Sequence, residues 1–143
     1  MSLCFMSLES NKIFNQLILN ELIKKGFDGL SLSLVVIFPY IDEYPDISIS
    51  TLAKKLGYSR QAMHKNIKKL EELSYIRLSQ TDNKKEKKIK FTDKSNELMR
   101  IAKVLISSVD AKVVDIIGED TLEVYKKNQL IIHNLLLELE ANE

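Results

Sequence analysis

The residues best suited to chemistry lie between Leu52 and Leu73. The stretch Leu52-Ala53-Lys54-Lys55-Leu56-Gly57-Tyr58-Ser59 leads into Arg60-Gln61-Ala62-Met63-His64-Lys65-Asn66-Ile67, which reads as helix, glycine turn, helix. Small Ala53 lets the two helices approach, Gly57 supplies the turn and Ser59 can cap the second helix. Taking about 100° per residue from Met63, Ile67 falls at about 40° and Leu70 at about 340°, which defines an inward stripe. Lys68, Gln61 and Lys65 fall at about 140°, 160° and 200°, with His64 on the edge at about 100°. The outward face is therefore made of hydrogen-bond donors and cations. Near a helix N-terminus such a face can enter a DNA major groove, where Gln pairs with adenine, Lys with guanine and the others meet phosphates. A solvated amphipathic helix has the same pattern, so the helix alone does not decide between them.

The segment beyond this helix shifts the balance. Ile76 and Leu78 alternate on one face, Ile89 and Phe91 do the same, and the lysine-rich stretch 81–87 connects the two runs. A basic hairpin directly after the second helix reads as a wing whose Lys84, Lys85, Lys87 and Lys88 would neutralise phosphates. The candidate DNA-contacting set is thus Ser59, Arg60, Gln61, His64, Lys65, Lys68, Lys84, Lys85 and Lys87. Charge is distributed to match. The formal net charge is only +1, yet residues 54–94 hold thirteen basic residues against five acidic, a net +8. The remainder, with eight basic against fifteen acidic, carries −7.

Several elements must position this segment. A first helix is expected over about residues 11–25, capped by Ser10, with Ile13, Phe14, Leu17, Ile18 and Leu22 as its apolar stripe and Lys24-Lys25-Gly26 as its stop. The β-branched run in residues 32–38 suits a buried strand as well as a short helix; Ser31 as cap and Pro39 as terminator favour the helix, with a loop over 40–46. Ser50 is expected to open the helix that Gly57 stops. After the hairpin, Thr92 can cap a long helix with Leu98, Ile101, Leu105, Val109 and Ile116 at helical spacing, ending at Gly118. A last helix comes next, with Asp120 and Glu123 spaced as a capping box and Leu122, Tyr125, Ile132, Leu136 and Leu139 repeating to the end.

Other chemistry finds little footing. The 143 residues contain two His and one Cys, without GxGxxG, P-loop, GxSxG or HExxH motifs, so neither catalysis nor a metal or cofactor site is expected. A lone cysteine fits a reducing cytoplasm, and the absence of an apolar run near ~18 residues fits a soluble protein without a membrane span. Residues 1–10 have no basic n-region or sustained apolar stretch and do not read as a signal peptide.

On these residues the chain resembles the MarR (multiple antibiotic resistance regulator) family of bacterial winged-helix transcription factors, over nearly its whole length. Leu30-Ser31 stands where the family has Leu-Thr, Leu52-Ala53 to Gly57 with Ser59-Arg60 matches its helix-turn-helix, Leu70-Glu71-Glu72-Leu73 to Tyr75-Ile76 resembles its entry to the wing, and Phe91-Thr92 its exit. The resemblance implies that Lys85 sits at the family's wing arginine, Asn83 near its wing aspartate, and that the first and last two helices form a two-fold dimer interface. The chain departs from the family in lacking the wing's Asp-Arg-Arg pattern, in Ser95 at a common glycine, and in Pro39 within a helix that usually continues. Ser59-Arg60-Gln61-Ala62 also resembles the winged domain of biotin-ligase repressors, and Leu3-Cys4-Phe5 is similar to the start of organic-hydroperoxide regulators, where the cysteine senses peroxide.

The expected fold is mainly α with a small β-hairpin wing: a single domain over 1–143, with a winged helix-turn-helix lobe over 30–91 between dimerisation helices at 10–26 and 92–143. The expected function is that of an effector-responsive repressor, a homodimer on a pseudo-palindromic double-stranded operator, with a possible small-molecule effector that Phe14, Phe38, Tyr40 and Tyr44 could help to enclose. Two rivals stand beside it: a winged-helix module that docks an acidic protein, and a regulator that senses peroxide through Cys4, against which stands an incidental thiol.

Overall fold

The computed structural model describes residues 1–80 and 87–143. Seven helices and one hairpin occur among them: α1 (Leu3–Lys24), α2 (Leu32–Val35), α3 (Phe38–Glu43), α4 (Ile49–Leu56), α5 (Arg60–Glu72), β1 (Ile76–Gln80), β2 (Lys87–Phe91), α6 (Asp93–Ile117) and α7 (Glu119–Ala141). The mainly α fold with a two-stranded antiparallel hairpin is the architecture expected from the sequence. By internal contacts the chain divides into two compact units, Met1–Lys103 and Val104–Glu143.

The first unit is built around a buried seam. Leu52 and Ala53 of α4 and Met63, Ile67 and Leu70 of α5 are all buried, in one cluster with Leu22 of α1, Ile37, Phe38, Tyr75, Ile76, Ile89 and Leu98. Gly57 makes the α4–α5 turn at φ 71°, a left-handed conformation that a side chain would strain. From that turn Tyr58 donates its hydroxyl to the Ser33 carbonyl at 3.3 Å, tying the turn to α2. The hairpin pairs Ile76 with Phe91 and Leu78 with Ile89, so its apolar face closes over the cluster while Arg77 and Lys90 pair on the other face.

Four local expectations are corrected. α1 begins two turns earlier than residue 11, because Ser2 accepts from the Phe5 N–H at 3.1 Å and nothing between Leu3 and Ser10 breaks a helix. Pro39 does not terminate a helix; it occupies the first turn of α3, where no N–H is needed, so the expected loop is helical to Glu43. The cap of α4 is Ser48, which accepts from the Thr51 N–H at 3.1 Å, rather than Ser50, which lies inside the helix. α7 starts directly after Gly118, so Asp120 lies within its first turn instead of capping it, and there it complements the helix dipole.

Where α6 begins, Thr92 and Ser95 satisfy each other: the Thr92 N–H donates to Ser95 Oγ at 2.9 Å and the Ser95 N–H to Thr92 Oγ1 at 3.4 Å. The second unit comprises the rest of α6 and α7, with Lys126 donating to Asp110 Oδ2 at 2.9 Å. The apolar repeats expected on both helices are present; Leu98 and Leu122 are buried, whereas Ile116 is 81% exposed and Tyr125, Leu136 and Leu139, with Leu130, Ile131 and Leu135 beside them, are each more than half exposed.

Tyr75 is the largest fully buried side chain, edge-on to Phe38, and its hydroxyl donates to the Asp28 carbonyl at 2.7 Å. Burial, with the nearby Asp28 charge, pushes its phenol from 10.0 up to about 12. Stability tied to the neutral phenol is complete below the unfolded value of 10.0 and lost as pH rises through about 12. Tyr75→Phe should cost about 0.5–1.5 kcal/mol at neutral pH by removing the hydrogen bond. It should also reduce the fall in urea midpoint between about pH 10 and about pH 11.5, as read from denaturation curves across that range.

Candidate nucleic-acid interface

The N-terminus of α5 is set by one hydroxyl. Ser59 lies extended before the helix and accepts from the Ala62 N–H at 3.0 Å, as its position after the Gly57 turn suggested. With Met63, Ile67 and Leu70 held in the core, Arg60, Gln61, His64, Lys65 and Lys68 are all exposed. Ser59 is exposed too, but its oxygen is already engaged as the cap.

Two grooves flank this face. One, of about 510 Å³, runs between the start of α4, α5 and the hairpin; it brings His64 and Lys68 together with Lys87, alongside Ser48, Ser50 and Leu78. The other, of about 610 Å³, lies between α5 and the start of α2 and is lined by Lys65, Lys68, Lys69, Ser31 and Ser33. Lys68 borders both. The arrangement sets hydroxyls, an imidazole and ammonium groups along this surface, with Glu71 also lining the first groove and Glu72 the second. Lys84 and Lys85 lie outside the described residues.

Some contacts were not visible in the sequence. The start of α4 contributes Ser48 and Ser50 to the first groove; the Ser-Ile-Ser-Thr run carried that signal, but the register of the cap was needed to place it. Lys88, read as a phosphate neutraliser, stands 3.4 Å from Asp46 at an exposed pair. The four aromatics considered for an effector pocket do not gather into one lining: Phe38 is buried in the core, Phe14 is 42% exposed, Tyr40 packs at the core's edge, and Tyr44 lies under Lys55, 4.6 Å from ring centre to ammonium. Among the described residues no group of three or more His, Cys, Asp and Glu side chains is placed to hold a metal, and no helix is long and apolar enough to cross a membrane.

A capped second helix with a buried inner stripe, a tight left-handed turn before it and an antiparallel hairpin after it define a winged helix-turn-helix. The model of the MarR family matches residues 29–85, from the connection before α2 into the hairpin segment. Comparison with curated protein sequences finds no match.

Solved structures extend the likeness to the flanking helices. FabT of Streptococcus pneumoniae, in complex with DNA, is 20% identical with a TM-score of 0.73, over 96% of this chain and 99% of that one. The Staphylococcus aureus MepR–DNA complex is 14% identical with a TM-score of 0.72, over 95% and 98%. Staphylococcus aureus MarR with salicylate and kanamycin is 20% identical with a TM-score of 0.75, over 94% and 90%. At these identities the likeness is one of fold.

Because the Ser59 hydroxyl is a cap first, Ser59→Ala should lower stability by about 0.5–2 kcal/mol in urea denaturation. Ser59→Asp, which can also cap, should restore most of it.

Proposed function

We propose that the protein is a sequence-specific DNA-binding transcriptional regulator that acts as a homodimeric repressor on a pseudo-palindromic operator. The observation that carries the reading is the α5 face, with Gln61, His64, Lys65 and Lys68 exposed opposite a fully buried apolar stripe and beside the basic hairpin. In this mechanism the two α5 helices of a dimer enter successive major grooves, with Gln61 and Lys65 reaching base edges. Arg60, Lys68, Lys87 and the wing lysines Lys84 and Lys85 meet phosphates. Bound to a promoter, such a dimer excludes the transcription machinery. The DNA complexes of FabT and MepR support this reading by fold.

The apolar surface of the flanking helices supports the dimer, with 10–26 and 92–143 as its dimerisation segments. Leu130, Ile131, Leu135, Leu136 and Leu139 on α7, and Ile13 and Leu17 on α1, are each 45% exposed or more, and a partner chain would cover them. A small-molecule effector that favours one spacing of the two α5 helices would release the operator; the salicylate bound by MarR supports a ligand of that size. The site of action would be the cytoplasm, where the DNA is.

Gln61→Ala or Lys65→Ala should weaken operator binding by about 1–3 kcal/mol and relax base preference at one position per half-site. Lys87→Ala should weaken operator and scrambled duplex alike and lower the salt slope by roughly one unit for each phosphate left without its lysine. Fluorescence anisotropy at several salt concentrations measures both. A parent protein that binds neither duplex at low salt overturns the reading in favour of a module for acidic proteins.

Sedimentation equilibrium at low micromolar concentration should give twice the 16.5 kDa chain mass. A clean monomer would contradict the two-half-site mechanism.

A further inference from the structure

The C-terminal end of α5 is held by side chains from two other elements. Leu73 caps the helix and Ser74, a non-glycine residue at φ 66°, turns the chain into β1; the Ser74 N–H closes on the Glu71 carbonyl and the Tyr75 N–H on the Leu70 carbonyl, while the Leu73, Ser74 and Tyr75 carbonyls are met from another element. Two residues at the start of α6 take up all three. Lys94 Nζ donates to the Leu73 carbonyl at 2.8 Å. Thr92 Oγ1 donates to the Ser74 carbonyl at 2.7 Å, and the Thr92 N–H reaches the Tyr75 carbonyl at 3.3 Å.

The α1–α2 connection closes the arrangement. The Lys94 ammonium also meets Asp28 Oδ1 at 2.9 Å and lies 4.1 Å from the centre of the Tyr75 ring, while the Asp28 carbonyl accepts the Tyr75 hydroxyl. Next to Asp28, Gly29 adopts φ +72, which would strain any side chain, and a Cβ there would meet the end of the Leu73 side chain at 2.7 Å. The hydrogen bond and charge of Lys94 hold the Asp28 carboxyl below its ordinary range.

We propose that Lys94, oriented by Asp28, is a positioning residue for DNA recognition: it fixes the end of α5 to the first turn of α6 and so sets the bearing of Gln61 and Lys65 at the far end of the helix. The inference rests on the DNA-binding reading above and adds to it a residue that touches no DNA. The leverage is geometric. A helix of 13 residues is about 20 Å long, so a tilt of roughly 10° at its anchored end moves the other end by about 3 Å. That exceeds what a base-edge hydrogen bond tolerates. Phosphate contacts from long, mobile lysines tolerate it far better.

The test uses Lys94→Met, Asp28→Asn, the double variant and Lys94→Arg in the full chain, with anisotropy on operator and scrambled duplexes under conditions where circular dichroism shows each variant folded. Lys94→Met and Asp28→Asn should each weaken operator binding, by about tenfold for Lys94→Met, with little change on scrambled DNA. The double variant should be no worse than Lys94→Met alone, and Lys94→Arg should retain operator binding. A long-range charge effect would move the two single variants in opposite directions, since one removes a cation and the other an anion. Opposite signs, or equal losses on both duplexes, would overturn the proposal.

Hydrogen exchange without DNA separates this from the parent reading. Both single variants should speed exchange of the Leu73, Ser74 and Tyr75 amides while those of Leu52 and Met63 stay protected. Unchanged exchange at the α5 end would reject the brace even in a protein that binds DNA. A parent that binds no duplex, with the exchange effect intact, would reject the DNA role and leave only a structural tie.

Discussion

The buried seam between α4 and α5 is the constraint on which the rest of the first unit depends. Leu52, Ala53, Met63, Ile67 and Leu70 are each at most 4% exposed. Removing them from water stabilises the pairing of two short helices that would be marginal alone. A helix that buries one stripe has no choice about what it exposes. Gln61, Lys65 and Lys68 face outward because Met63 and Ile67 face inward, and the left-handed turn at Gly57 fixes the angle at which the second helix leaves the first.

Apart from the tie of Lys94 to Asp28 and the Leu73 carbonyl, electrostatics adds to this geometry without holding it together. The ion pairs of the first unit, such as Lys88 with Asp46 and Lys103 with Asp42, join exposed groups, where each contributes about 0–1 kcal/mol. The concentration of cations in residues 54–94 is better understood as a field for a polyanion than as a source of stability. The exposed lysines beside His64 line the groove, whereas the Ser59 hydroxyl is committed to its cap.

Much of this was legible in the sequence because it depends on local chemistry. Gly57 and Ser59 announce the turn and the cap, alternation announces the strands, and the period of Met63, Ile67 and Leu70 announces the face of α5. What was not legible depends on choices between equivalent local signals. Ser48 and Ser50 are both good caps, and burial of Ile47 and Leu52 decides which is used. Pro39 reads equally as a terminator or as a first-turn residue, and packing of Phe38 against Tyr75 and Phe91 selects the second. The tie between Lys94, Asp28 and the Leu73 carbonyl joins residues 21 and 66 positions apart, beyond any local pattern.

If duplex DNA lies against α5 and the hairpin, the backbone amide chemical shifts of the labelled protein, followed while a duplex is added, should change most at Gln61, His64, Lys65, Lys68 and Lys87, with Lys112, Lys126 and Lys127 of the second unit little affected. Changes concentrated on the second unit's lysines, or absent from α5 at saturating DNA, would contradict that placement.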